Sequence, residues 1–233
     1  MTNPLPAAVL WDMDGTLVDT EPYWISSETA LVESFGGTWT YEDALSVVGS
    51  GLWESAAALQ SRGVAMEADA IVYHLTDKVR EQLRTVGVPF RPGARELLRE
   101  LREQGVRTAL VTMSIRSLAE EVAASVPFDA FDAIVAGDEV SEPKPHPEAY
   151  LTAARLLDVD IARCVAIEDS PAGIASASAA GVAGIAVPHA VQIPPSPHYG
   201  VWPTLAGRGV ADLASVLAAR SGGIAPHQAE ALS

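Results

Sequence analysis

Five short apolar runs, at residues 7–11, 107–112, 133–136, 163–167 and 183–187, constrain the fold of this chain more than any other feature. Each is too short for a buried helix and ends in Gly, Pro or a polar cluster, as strands buried on both faces of a parallel sheet do. Amphipathic stretches at 94–103, 117–124, 147–157 and 172–180 alternate with them, the first and last stopped by Gly105 and Gly181. Strands alternating with helices through right-handed crossovers predict an α/β, doubly wound parallel sheet. A hydrophobic content of 48% over 233 residues is enough to bury such a sheet.

The alternation breaks between the first and second runs. Residues 19–87 carry no convincing strand but several helical patterns. Trp24, Leu31 and Phe35 recur at helical spacing before Gly36-Gly37, and Ile71, Leu75, Val79, Leu83 and Val86 form a second stripe. These patterns predict an inserted all-helical cap subdomain at 19–87, interrupting a core made of 1–18 and 88–220. Its two connections, at 18–20 and 85–89, are expected to act as hinges. The Pro- and His-containing stretch at 188–198 offers no element, a last helix is expected at 210–219, and 221–233 reads as a flexible tail.

The formal net charge of −15, with no basic run, argues against nucleic acid and anionic membrane as partners. Apolar stretches fall well short of the roughly 18 residues that span a bilayer, and Met1-Thr2-Asn3-Pro4 lacks the basic start of a secretory signal. A cytoplasmic monomer is the expectation. The single cysteine, Cys164, lies within an apolar run and reads as a buried structural thiol.

Polar clusters sit at or just beyond the ends of four runs, where open parallel sheets bind ligands. Asp12-Met13-Asp14-Gly15-Thr16 follows the first, Thr112-Met113-Ser114 the second, Pro143-Lys144-Pro145 comes shortly after the third, and Glu168-Asp169-Ser170 ends the fourth. Together they read as one phosphate-transfer site. An ionised carboxylate, Asp12, serves as the oxygen nucleophile, and Asp14 carries the proton to the leaving group and then from water. Gly15 permits the turn that places both. Thr112 and the amide of Met113 grip phosphate oxygens at a strand-to-helix turn, a geometry shared with helix capping. Lys144 is one of only two lysines in the chain; its compact ammonium neutralises phosphate and nucleophile together. Asp12, the Asp14 backbone carbonyl and Asp169 offer hard oxygen ligands to Mg²⁺, with Glu168 supporting through water. The substrate of such a site is a small phosphorylated metabolite.

In this order and spacing the four motifs resemble those of the haloacid dehalogenase superfamily, and the resemblance runs to about residue 215. It implies a Rossmann-like core with a C1-type helical cap, Mg²⁺ dependence and phosphatase chemistry through an aspartyl-phosphate. The 12–21 stretch, Lys144-Pro145-His146-Pro147 and Glu168-Asp169-Ser170-Pro171-Ala172-Gly173 are similar to the branch containing β-phosphoglucomutase and small sugar-phosphate phosphatases. Asp14 argues against dehalogenation, which needs no such acid. In mutase-like caps a Lys-Gly-x-x-x-Arg loop and a histidine carry the second phosphate; the corresponding positions here are Val47 to Trp53 and Trp24. Hydrolysis is therefore favoured over a phosphosugar mutase. Trp24, Gly49, Ser50 and Trp53 are expected to line the cap side of the pocket, with Ser114 and Arg116 reaching the substrate from the core.

Overall fold

The computed structural model describes residues 3–221. Among them six strands form one parallel sheet: β1 (Ala8–Trp11), β2 (Arg107–Val111), β3 (Ala133–Val135), β4 (Cys164–Glu168), β5 (Ala183–Ala186) and β6 (Tyr199–Val201). They lie in the order β3-β2-β1-β4-β5-β6, all neighbours parallel. β1 has β2 on one side and β4 on the other, so the strand order reverses there and leaves a crevice beyond the carboxyl ends. Register carries the motifs to that crevice: Trp11 pairs with both Leu110 and Ile167, so the residues after β1, β2 and β4 emerge side by side.

Helices α5 (Ala94–Glu103), α6 (Arg116–Ala124), α7 (Glu148–Leu156), α8 (Pro171–Ala180) and α9 (Val210–Ser221) cover the sheet. One apolar cluster joins Val9, Trp11, Leu97, Leu101, Leu110, Leu118, Ile167 and Leu213 on one face. A second joins Leu10, Val111, Tyr150, Ala153, Ala166 and Ala177 on the other. Both faces of the central strands are thereby removed from water, which is why they read as continuous apolar runs.

Between β1 and α5 lie α1 (Glu21–Ser34), α2 (Tyr41–Leu45), α3 (Leu52–Ser61) and α4 (Ala68–Thr85). They build a third cluster from Leu31, Val32, Trp39, Leu59, Ile71, Val72 and Leu75. The two expected stripes need correction. Phe35 lies just past the end of α1 and is 42% exposed, and Val86 is 72% exposed. Val79 and Leu83 pack into the sheet-side cluster instead of the helical one. The lower half of α4 is also tied to α6, where Arg80 and Arg84 both reach Glu121, at 2.7 and 2.6 Å. The two chain passages between the helices and the sheet run side by side, Asp19 N–H donating to Pro89 O at 2.8 Å and Arg91 N–H to Leu17 O at 2.9 Å.

The 188–198 stretch leads into β6, a strand the sequence did not announce. The tail expected at 221–233 lies outside the described residues except for Ser221, which ends α9. No helix among the described residues is long and apolar enough to cross a membrane. Cys164 is a buried free thiol, its ionisation pushed up to about 11 by burial.

Candidate active site

The crevice opens into a cleft between the strand ends and helices α1 to α3, about 680 Å³ of empty space when counted out to its open mouth. Asp12, Asp14 and Asp169 line its floor with Thr112, Met113, Ser114 and Ser170, while α1, the α2–α3 loop and α3 form the roof.

Lys144 sits beneath the floor, 2% exposed. Its ammonium donates to Asp12 Oδ1 at 2.8 Å, Glu168 Oε1 at 2.6 Å and the Val111 carbonyl at 2.9 Å, using all three protons. Burial alone would depress this ammonium; the facing Asp12 and Glu168 carboxylates outweigh it and hold the lysine above its ordinary value. Glu168 Oε1 also accepts from the buried Tyr150 hydroxyl, whose ionisation is driven well upward by burial and by that carboxylate.

Oxygens of Asp12, Glu168 and Asp169 lie within 4.8 Å of one another. Glu168 Oε2 and Asp169 Oδ2 are buried without a hydrogen-bond partner among the described residues, an arrangement that ordinarily carries a heavy desolvation penalty. The Asp12 carboxyl is pushed up to about 7, first by burial and then by Glu168, and Asp169 is driven well above the usual carboxylate range by burial and Asp12. Three clustered carboxyls that share a single ammonium, Lys144, suit a hard divalent cation, which would balance the remaining negative charge, satisfy the orphaned oxygens and release the protons. The residues therefore fit a metal ion.

Asp14 faces the cleft in a different setting. Its Oδ1 accepts from Thr20 Oγ1 at 2.5 Å and the Trp24 indole N–H at 3.0 Å, and its Oδ2 from Ser114 Oγ at 2.7 Å. With a fourth, the Thr112 hydroxyl at 3.4 Å from Oδ2, these neutral donors orient the carboxyl while no ammonium touches it. Gly15 follows with φ +80°, and a Cβ there would collide with Asp169 Oδ2 and Glu21 Oε1, so the turn needs glycine for both conformation and space. Thr112 Oγ1 accepts from the Ser114 N–H at 3.0 Å, which fixes the loop of Thr112, Met113 and Ser114 that lines the cleft.

The roof holds Trp24, Gly49 and Ser50 of the expected specificity residues. Gly49, φ +79°, approaches Ser170 so closely that a Cβ would strike that side chain, bringing the roof down onto the floor. Trp53 and Arg116 are elsewhere. The Trp53 indole donates to Asp69 at 2.7 Å, away from the cleft. The Arg116 guanidinium is taken up by Glu120 at 3.0 Å, Glu139 at 3.3 Å and the Ile134 carbonyl at 2.8 Å. Neither lines the cleft, because each finds a partner on its own side of the molecule.

Sequence reasoning missed the acidic part of the roof. Glu21, Trp24, Ile25 and Glu28 all line the cleft, and their i, i+3, i+4, i+7 spacing is one face of α1. That spacing was the signal. Burial and then Asp14 push Glu21 up to about 8. A second acidic group, Asp19 and Glu21 with His189, gathers beside the cleft, His189 Nε2 lying 2.8 Å from Asp19 Oδ1.

The sequence profile described as haloacid dehalogenase-like hydrolase matches residues 9–187. The chain is 32% identical over 192 residues to protein CbbY of Rhodobacter capsulatus, a match covering 78% of this chain and 85% of that protein. It is 30% identical over 189 residues to hexitol phosphatase B of Escherichia coli, covering 78% and 83% respectively. Among solved structures, CbbY from Rhodobacter sphaeroides in complex with phosphate matches with a TM-score of 0.81 at 27% identity, over 89% of this chain and 98% of that one. A β-phosphoglucomutase from Clostridium difficile, 19% identical with a TM-score of 0.81 over 94% of this chain and all of its own length, shares the fold. With two aspartates after the first strand, a buried lysine and an acidic pair after the fourth gathered at one end of the sheet, this chain belongs to the haloacid dehalogenase-like hydrolases.

Proposed function

We infer that this protein is a Mg²⁺-dependent phosphatase that hydrolyses a small phosphorylated metabolite, a sugar or polyol monophosphate, through an aspartyl-phosphate on Asp12. The observation that carries this reading is the pair of carboxyls on the cleft floor, one against an ammonium and the other held by neutral donors. Two such environments suit two roles. Asp12, anchored through Oδ1 by Lys144, attacks phosphorus with its other oxygen: the O–P bond to Asp12 forms as the P–O bond to the leaving alkoxide breaks. Asp14 gives that alkoxide its proton. The same carboxylate then takes a proton from the water that attacks phosphorus, and Asp12 and inorganic phosphate separate.

Asp12, the Asp14 backbone carbonyl and Asp169 would hold the metal, with Glu168 behind them. When bound, Mg²⁺ supplies positive charge to the phosphate oxygens and to the charge that develops on them. Thr112 and the Met113 amide hold the phosphoryl oxygens, and Lys144 keeps Asp12 aligned. The inserted helices act as a cap that closes over the substrate, pivoting on the paired passages at Leu17 to Asp19 and Pro89 to Arg91.

Monophosphate is favoured over bisphosphate by charge. No lysine, arginine or histidine lines the cleft among the described residues, and the roof contributes Glu21 and Glu28. A second phosphate, which a mutase must hold, would meet carboxylates there. Relatives named as CbbY and hexitol phosphatase support a phosphorylated small molecule as substrate. The test is inorganic phosphate release from sugar, polyol and nucleoside monophosphates and from sugar bisphosphates, with Mg²⁺ and with chelator. Mg²⁺-dependent release favouring monophosphates is expected. Interconversion of hexose monophosphates on adding a bisphosphate, without phosphate release, would overturn hydrolysis in favour of mutase chemistry.

A further inference from the structure

The roof of the cleft contains two buried carboxyls to which the phosphate chemistry assigns no role, Glu21 and Glu28, and of these Glu28 lies the further from the floor along α1. Glu28 is 5% exposed, lies on α1 one turn beyond Trp24 and lines the cleft. Its Oε2 accepts from the Trp39 indole N–H at 3.1 Å, which fixes the side chain from behind. Its Oε1 accepts no hydrogen bond from a protein donor among the described residues and, unlike Glu168 Oε2 and Asp169 Oδ2, is not one of the fully buried orphan oxygens. An acceptor oxygen on the wall of a cleft that is still open to solvent can pair with whatever enters it.

Its position sets what that ligand part is. The Trp24 indole touches Asp14, where the leaving oxygen must be protonated. Four residues on at about 1.5 Å each, Glu28 stands roughly 6 Å further along the helix axis. That distance is a few carbon atoms of a chain whose phosphate sits on the floor. Ile25, Val47, Val48 and Leu52 line the same cleft, and no cation among the described residues lines it to neutralise the carboxylate. A second phosphate or a carboxylate on the substrate would be repelled, and an amine is not needed to satisfy a single acceptor oxygen. A hydroxyl is the neutral donor that fits. Ser55, buried on α3, faces the same part of the cleft.

We propose that Glu28 is a specificity-determining residue which accepts a hydrogen bond from a hydroxyl several carbons away from the phosphate, so that the site selects polyhydroxylated monophosphates over alkyl ones. This deepens the phosphatase reading and rests on it. Burial also raises the Glu28 carboxyl to about 7, against the pull of the Trp39 indole.

The experiment compares kcat/KM for glucitol 6-phosphate and glucose 6-phosphate with that for hexyl phosphate, in the Mg²⁺-loaded wild-type protein and in Glu28→Gln and Glu28→Leu. A preference for the hydroxylated substrates over hexyl phosphate of about 10- to 100-fold is expected in the wild type, from one hydrogen bond to a charged or polar group in a dry site. In Glu28→Leu that ratio should collapse toward one, through KM more than kcat. Glu28→Gln, which keeps an acceptor oxygen, should retain a good part of it. Deoxy analogues lacking hydroxyls far from the phosphate test the same contact in unaltered protein and should lose as much as Glu28→Leu does. An unchanged ratio in Glu28→Leu, or a wild type that hydrolyses hexyl phosphate as well as the polyol phosphate, overturns the proposal. Equal loss on every substrate would make Glu28 a packing residue and overturn it too. Failure to release phosphate from any of the three, hexyl phosphate included, would instead bring down the phosphatase reading itself.

Discussion

Replacing Lys144 by methionine keeps most of the side-chain volume and removes one buried positive charge. In the folded protein that charge makes hydrogen bonds of 2.8 and 2.6 Å to Asp12 and Glu168 and is 2% exposed. Breaking a buried ion pair by deleting one partner typically destabilises by about 3–5 kcal/mol, because the other charge is left without compensation. Here two carboxylates are left, so the upper part of that range applies when both are ionised. Protonation is their escape. Without the lysine the folded value of Asp12, already raised by burial, rises further above the unfolded one, so the penalty is greatest at high pH and shrinks as pH falls and that carboxyl takes up its proton. Urea unfolding with chelator present, followed by tryptophan fluorescence, should show Lys144→Met about 4 kcal/mol less stable than wild type at pH 8 and at least about 2 kcal/mol closer to it at pH 5. Adding Asp12→Asn to Lys144→Met should recover part of the loss at pH 8. Equal losses at both pH values, with no recovery in the double variant, would mean that lysine contributes by packing and that the buried charge network is not what holds this floor together.

Asp14→Asn should lower kcat/KM by about 100-fold or more on alkyl phosphates, in the range general-acid catalysis supplies, and far less on p-nitrophenyl phosphate, whose leaving group needs no proton; matched losses would refute the acid role. Glu28 has a folded value of about 7 against an ordinary 4.5. Because the folded value is the higher, its protonated form stabilises the fold; this contribution is complete below about pH 4.5 and disappears as pH rises through 7. The 2.5-unit difference corresponds to about 3 kcal/mol, so Glu28→Gln should flatten the fall in stability between pH 4.5 and 8 seen in chelated wild-type protein by roughly that amount; an unchanged slope would refute it. Mg²⁺ at 100 times its dissociation constant should raise stability by about 2.7 kcal/mol, and Asp169→Asn should abolish most of this gain in thermal unfolding.

The strand ends were legible because buried parallel strands are short, apolar and punctuated, and the chemistry sits at the punctuation: Asp12, Thr112 and Glu168 each stand at or one step past a run that the sheet then aligns. β6 was not, since Tyr199 to Val201 is three residues long and takes its place only by pairing with β5. The helices between β1 and α5 were legible as helices but not as faces. Trp24 serves both the cleft and the packing around it, which hid the Glu21, Trp24, Ile25, Glu28 stripe. Acidic residues on a helix normally face water, so Glu28 announces itself only once the Trp39 indole is known to lie behind it. Trp53 and Arg116 sat at plausible positions in the chain; the partner that holds Trp53, Asp69, is too distant in sequence for spacing to show it, whereas Glu120, four residues beyond Arg116 on the same helix, was a legible competitor for its guanidinium.

The most direct test of an aspartyl-phosphate at Asp12 is an acid-quenched single turnover with a substrate radiolabelled in its phosphoryl group. The label should appear transiently on the wild-type protein, be released by base or hydroxylamine, map to Asp12, and be absent from Asp12→Asn, which folds but does not turn over. Phosphate formed with no label on the protein at any time, or substantial Mg²⁺-dependent turnover by pure Asp12→Asn, would contradict it.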